Sequence, residues 1–105
     1  MATDMTGDDL MRIKVGSILN VKEVLGQREL DLLIPRGSTM RELLASMIDT
    51  FGEKLSSTIY GFGGQEVLPY IRMMVNGRDI GFLGGLGTVL QEGDAVMILP
   101  MVAGG

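Results

Sequence analysis

The chain has 105 residues and a formal net charge of −4, a size that suits one domain around one core and a charge that argues against nucleic acid, whose phosphates are bound by clustered Lys and Arg. It contains no cysteine and no histidine, so disulfides, thiolate and imidazole metal ligands, the thiol nucleophile and the commonest general base are all missing, and neither a catalytic residue nor a metal site is expected. The apolar runs fall short of a bilayer span and the acidic start "MATDMTGDDL" lacks the basic and apolar regions of a signal peptide, so the expectation is a cytoplasmic protein with no membrane partner.

Residues 1–10 are polar and acidic and read as a flexible leader. Met11, Ile13 and Val15 then alternate with Arg12 and Lys14, the period of a half-buried strand, and Leu30, Leu32 and Ile34 alternate with Glu29 and Asp31 after a connection around Gly26. Two strands this close are most simply an antiparallel hairpin. "PRGST" breaks the pattern, and Thr39 with Glu42 three residues on forms a capping box. Met40, Leu43, Leu44, Met47, Ile48 and Phe51 follow at helical spacing as one apolar stripe, and Gly52 is the stop.

Residues 53–70 show no steady period and hold Gly61, Gly63, Gly64 and Pro69, which predicts a long irregular connection. Ile71, Met73 and Val75 restore the strand alternation, and Asn76-Gly77 predicts a tight type I′ turn. "DIGFLGGLGT" and the turn "QEGD", where Asp94 is placed to bond the turn backbone, lead to a last strand, Ala95 to Leu99. Two hairpin strands, one amphipathic helix, then further strands is the order of an α+β, β-grasp (ubiquitin-like) fold with a mixed sheet and one main helix. The domain is expected over residues 11–99, followed by a flexible tail at 100–105.

The glycine-rich segments do not form a phosphate loop. Five positions after Gly81 stands Leu86, with no lysine following, and Glu66 occupies the place that GxGxxG after Gly61 reserves for glycine. Met40, Met47 and Met73 fall on core faces and read as gap-filling, whereas Met74 and Met97 point to the opposite sheet face and suit a partner surface. Phe82 and Leu83 are adjacent; in an extended segment they point to opposite sides, so at least one is expected to be exposed, with Phe82 either an anchor for partners or a cap on the core.

The C-terminus is the unusual feature. The last strand runs into Pro100, Met101, Val102, Ala103, Gly104 and Gly105, and proline lacks the donor that extends a ladder, so the tail is expected to leave the sheet at Pro100. Gly104 and Gly105 are expected to give a bare, thin and flexible end.

The stretch "YIRMMVNGRDIGFLGGLGTVLQEGDAVMILPMVAGG", with its "VNG", "FLGGL", "L..GD.V.ILP" and terminal "VAGG", resembles the MoaD/ThiS family of ubiquitin-like sulfur carriers over the last third of the chain. Family tails commonly read "PPV" or "PAV" where this chain has Pro100-Met101-Val102. The resemblance implies that an adenylating, ubiquitin-activating-like enzyme uses ATP to convert the Gly105 carboxylate to an acyl-adenylate. A sulfur donor then yields a thiocarboxylate, and an accepting enzyme takes the sulfur, such as a molybdopterin synthase large subunit or a cysteine synthase. The carrier itself binds no cofactor and is not an enzyme. Pro100, Met101, Val102, Ala103 and Gly104 are then needed for entry into partners, and Phe82, Leu83, Met74 and Met97 for docking. The long 53–70 connection and "FLGGL" look closer to the carriers of cysteine biosynthesis. The resemblance also allows a ubiquitin-like modifier joined to target lysines through Gly105, and a β-grasp adaptor with an inert tail remains a third reading.

Overall fold

The computed structural model describes residues 9–64 and 66–101. The elements in chain order are β1 (Leu10–Ser17), α1 (Leu19–Leu25), β2 (Glu29–Pro35), α2 (Met40–Phe51), α3 (Glu53–Tyr60), β3 (Ile71–Val75), β4 (Arg78–Asp79) and β5 (Ala95–Pro100). The strands form one mixed sheet in the order β2-β1-β5-β3-β4, the α+β arrangement expected of a β-grasp. The first and last strands lie side by side and parallel at its centre, and the other pairs are antiparallel.

Register explains which residues fill the core. Met11 faces Ile34 and Ile13 faces Leu32 across β1 and β2, while Val15 faces Val96 and Met73 faces Ile98. With a side-chain period of two, all of these lie on one face of the sheet. Val21 and Leu25 of α1, Met40, Leu43, Leu44 and Met47 of α2, and Leu55 and Ile59 of α3 join them in one cluster, so all three helices cover that face. The opposite face is left open.

The capping box forms as the spacing requires: the Glu42 N–H donates to Thr39 Oγ1 at 3.3 Å and the Thr39 N–H to Glu42 Oε1 at 2.9 Å. Gly52 closes α2 at φ 80°, ψ −163°, a conformation side chains rarely adopt. Asn76 and Gly77 both take positive φ in the tight turn between β3 and β4.

Three expectations are corrected. Residues 53–70 are not irregular throughout, because α3 occupies their first half; its buried pair Leu55 and Ile59 is one helical turn apart, and two turns give too few positions to show a period. β1 and β2 are antiparallel partners but not a simple hairpin: α1 stands between them, buries Val21 and Leu25 in the same i, i+4 manner, and ends on Gly26 in the left-handed conformation. Nor does the chain leave the sheet at Pro100. Pro100 pairs with Ile71, and the Met101 N–H still donates to the Tyr70 carbonyl at 2.7 Å. Alternation along an antiparallel ladder turns the Pro100 nitrogen to the other side, where β1 pairs with β5 only as far as Ile98, so its missing donor breaks no ladder bond.

Candidate functional site

The site begins where β5 ends. Met101, 54% exposed, is the last described residue and is tied to Tyr70; Val102, Ala103, Gly104 and Gly105, on which the carrier chemistry is expected, lie outside the described residues. Pro100 is buried against the core, so the rigid sheet holds the base of the tail at its third and fourth strands.

Beside that base lies the open face. Met97 and Met74 stand directly opposite each other across β5 and β3, both half-buried, and Gly16 of β1 is in register with Met97 on the other side. The three form one row across the sheet. A Cβ on Gly16 would come within 2.5 Å of Met97 Sδ, so the absence of a side chain there is what lets the thioether lie over β1. Leu99 is paired with Arg72 nearer the tail, and Leu33, 58% exposed, is paired with Arg12 on the far side. Lys14 continues the same face as Arg12. The same face carries Arg12, Lys14 and Arg72, and with them Asp31 opposite Lys14, Glu29 opposite Gly16 and Asp79 opposite Met74, so its methionines and leucines are surrounded by charges of both signs.

The third part is the turn after β4. It is not extended, as the reading of Phe82 and Leu83 assumed: residues Ile80–Phe82 form a single 3₁₀ turn, because Asp79 Oδ1 accepts the Gly81 N–H at 2.8 Å and the Leu83 N–H closes on the Ile80 carbonyl at 2.9 Å. Arg72 Nη1 donates to Asp79 Oδ2 at 3.1 Å and ties the turn to β3. The result presents Phe82 at 89% exposure and Leu83 at 41%, so Phe82 does not cap the core. The Gly81 N–H, ahead of the opposing effect of burial, and then Arg72 hold the Asp79 carboxyl below its usual range.

Sequence reasoning named Met74, Met97, Phe82 and Leu83. The structure brings the two methionines together on one face and places Phe82 and Leu83 on the turn that Arg72 and Asp79 anchor to it. It also reveals Gly16, Leu99 and Arg72 as parts of that surface. Their period-two positions were visible, but the pairing of β1 with β5 that brings Gly16 under Met97 joins segments some eighty residues apart and leaves no local signal. Phe62, 91% exposed on the turn after α3, was also missed. Among the described residues no group of acids could hold a metal ion, and no helix is long and apolar enough to cross a membrane.

The ThiS family matches residues 19–105. The chain is 30% identical over 95 residues to small archaeal modifier protein 3 of Haloferax volcanii, covering 90% of this chain and all of that one. It is 50% identical over 36 residues to the sulfur carrier protein CysO of Mycobacterium tuberculosis, which spans 34% of this chain and 39% of the relative. Among solved structures, the small archaeal modifier protein 1 of Methanosarcina acetivorans superposes with a TM-score of 0.77 at 31% identity, covering 91% of this chain and 98% of that one.

Proposed function

Because the chain belongs to the ThiS family of ubiquitin-like sulfur carriers, we propose that it carries sulfur on Gly105 as a terminal thiocarboxylate, acting in the cytoplasm with enzymes that supply the catalytic groups. The observation that supports this most is that a central strand of the sheet, rigidly paired up to Met101, leads straight into the segment Val102-Ala103-Gly104-Gly105 that the family match includes.

The chemistry asks little of the carrier and much of its shape. A carboxylate is a poor electrophile, so the activating partner lets a Gly105 oxygen attack the α-phosphorus of ATP, with pyrophosphate leaving. Hydrosulfide attacking the acyl carbon displaces AMP and gives the thiocarboxylate directly; a persulfide donor gives an acyl disulfide instead, and a second thiol attacking its donor-side sulfur releases the thiocarboxylate and leaves a disulfide on the donor. Beyond the last paired residue, Met101, the four residues 102–105 span at most about 13 Å when extended, which sets how deeply a partner can take the carbonyl while the sheet stays outside. The open face, with Met74, Met97 and Leu99 among charges of both signs, and the projecting Phe82 form the docking surface, and they suit a partner surface that is apolar at its centre and polar at its rim. The sulfur-accepting partner is an enzyme of molybdopterin or cysteine biosynthesis; the relation to CysO supports the sulfur-carrier reading.

A second reading has its own support, since two relatives are named as modifiers: the same acyl-adenylate passes to a target lysine and forms an isopeptide. Intact mass of the protein isolated from its native cell separates the two. Exchange of one oxygen for sulfur at the C-terminus is expected for the carrier, laddered conjugates for the modifier, and an unmodified terminus with no conjugates would contradict both.

A further inference from the structure

Beside β3 lies a groove of about 510 Å³ whose walls include Val67, Leu68, Ile71, Ile80 and Leu86. The turn that carries Phe82 is part of its rim: Ile80 and Gly81 line the groove, and the exposed Phe82 and Leu83 follow them in the chain. On another stretch of the lining, Tyr70 stands exposed between Pro69 and Ile71. An apolar hollow and projecting apolar side chains therefore adjoin each other, the combination that marks a contact between proteins.

The charges at the groove narrow the choice of partner. Arg72 and Asp79 are bonded to each other. Arg41, near the start of α2, and Glu66 are exposed and form no ion pair among the described residues. A lining with one free cation and one free anion gives no preference for an acidic or a basic ligand. It is complementary to itself, because a two-fold axis sets the Arg41 of each copy against the Glu66 of the other. The same operation carries the projecting ring of each copy towards the other's hollow, as an interface that uses one patch on both subunits requires.

We propose that two copies of this chain associate about a two-fold axis through this groove, each seating Phe82 in the other's hollow and pairing Arg41 with the other's Glu66. The occupant is a second copy. The ring acts as a desolvated aromatic anchor and supplies most of the affinity, and the two rim pairs set the register. Such an interface is closed, so once both grooves are filled no further copy adds. Phe82 is also the anchor proposed for the enzymes, so a paired copy and a docked enzyme exclude each other. That consequence rests on the docking reading, whereas the association does not.

Sedimentation velocity of the full chain over a range of concentrations tests this. A monomer–dimer equilibrium is expected, and Phe82→Asp is expected to raise its dissociation constant at least about tenfold. Arg41→Glu and Glu66→Arg each set like charges against one another at both rim contacts, and each alone is expected to weaken the dimer about as much. Mixed in equal amounts, the two variants are expected to form a heterodimer, since every rim contact then joins opposite charges. The three side chains are exposed, so the variants keep the fold. A chain that stays monomeric up to millimolar concentration, a dimer that Phe82→Asp leaves intact, charge variants that do not recombine, or species that grow beyond the dimer would each overturn the proposal. Adenylation of the full chain by the activating enzyme is measured separately. Its absence would remove the carrier reading and leave the association standing, whereas normal adenylation of a chain that stays monomeric would remove only the interface.

Discussion

Phe82 is the residue whose surroundings contrast most with its chemistry, a phenyl ring 89% exposed on a turn braced by two hydrogen bonds of Asp79. Its ring contributes nothing to the core, and on the proposed reading it anchors a partner. Phe82→Asp is expected to leave the melting temperature nearly unchanged, within the roughly ±0.5 kcal/mol of surface changes, and to weaken calorimetrically measured binding to the activating enzyme by about 2 kcal/mol or more. Unaltered binding would move the docking surface elsewhere. The brace itself depends on pH. Because the folded state holds the Asp79 carboxyl below its usual value, its contribution is complete above the ordinary carboxylate pKa of about 3.9 and is lost as pH falls through the depressed folded value. The Gly81 amide signal is therefore expected to titrate at a pH below about 3.9, and Asp79→Asn to abolish that titration. A midpoint above the ordinary range would contradict the hydrogen bond from Gly81.

At the scale of elements, α3 is the part of the handle that sequence patterning hid and packing makes indispensable. Leu55 and Ile59 are fully buried against the core, so Leu55→Ala is expected to cost about 2–5 kcal/mol in a denaturant titration, while Lys54→Ala, exposed on the same helix, costs at most about 0.5 kcal/mol. Equal, small effects would mean that residues 53–60 do not pack as a helix. The contrast with α2 shows what was legible. α2 spans Met40–Phe51 and repeats its apolar positions over three turns between a capping box and a glycine, whereas α1 and α3, of 7 and 8 residues, each offer one buried i, i+4 pair and no side-chain cap. Short helices like these are held by tertiary contacts rather than by their own propensity. The strands β1, β2, β3 and β5 were readable from alternation, and the β3–β4 turn from Asn76-Gly77, since both signals are local. The parallel pairing of β1 with β5, which sets Gly16 beneath Met97 and completes the open face, was not, because it joins the two ends of the domain.

Considered whole, the molecule separates a handle from a working end. One core under three helices fixes the sheet, the sheet fixes Pro100 and Met101, and the turn that carries Phe82 is tied to β3, the strand that pairs with Pro100, through Arg72 and Asp79. On this account Gly104 and Gly105 matter to the chemistry and not to the fold. The most direct test is to delete both residues, then measure thermal unfolding and ATP-dependent acyl-adenylate formation by the activating enzyme on the same preparation. Unfolding within about 0.5 kcal/mol of the full chain together with complete loss of adenylation is the expected result. Adenylation that survives the deletion would contradict the assignment of carrier chemistry to Gly105.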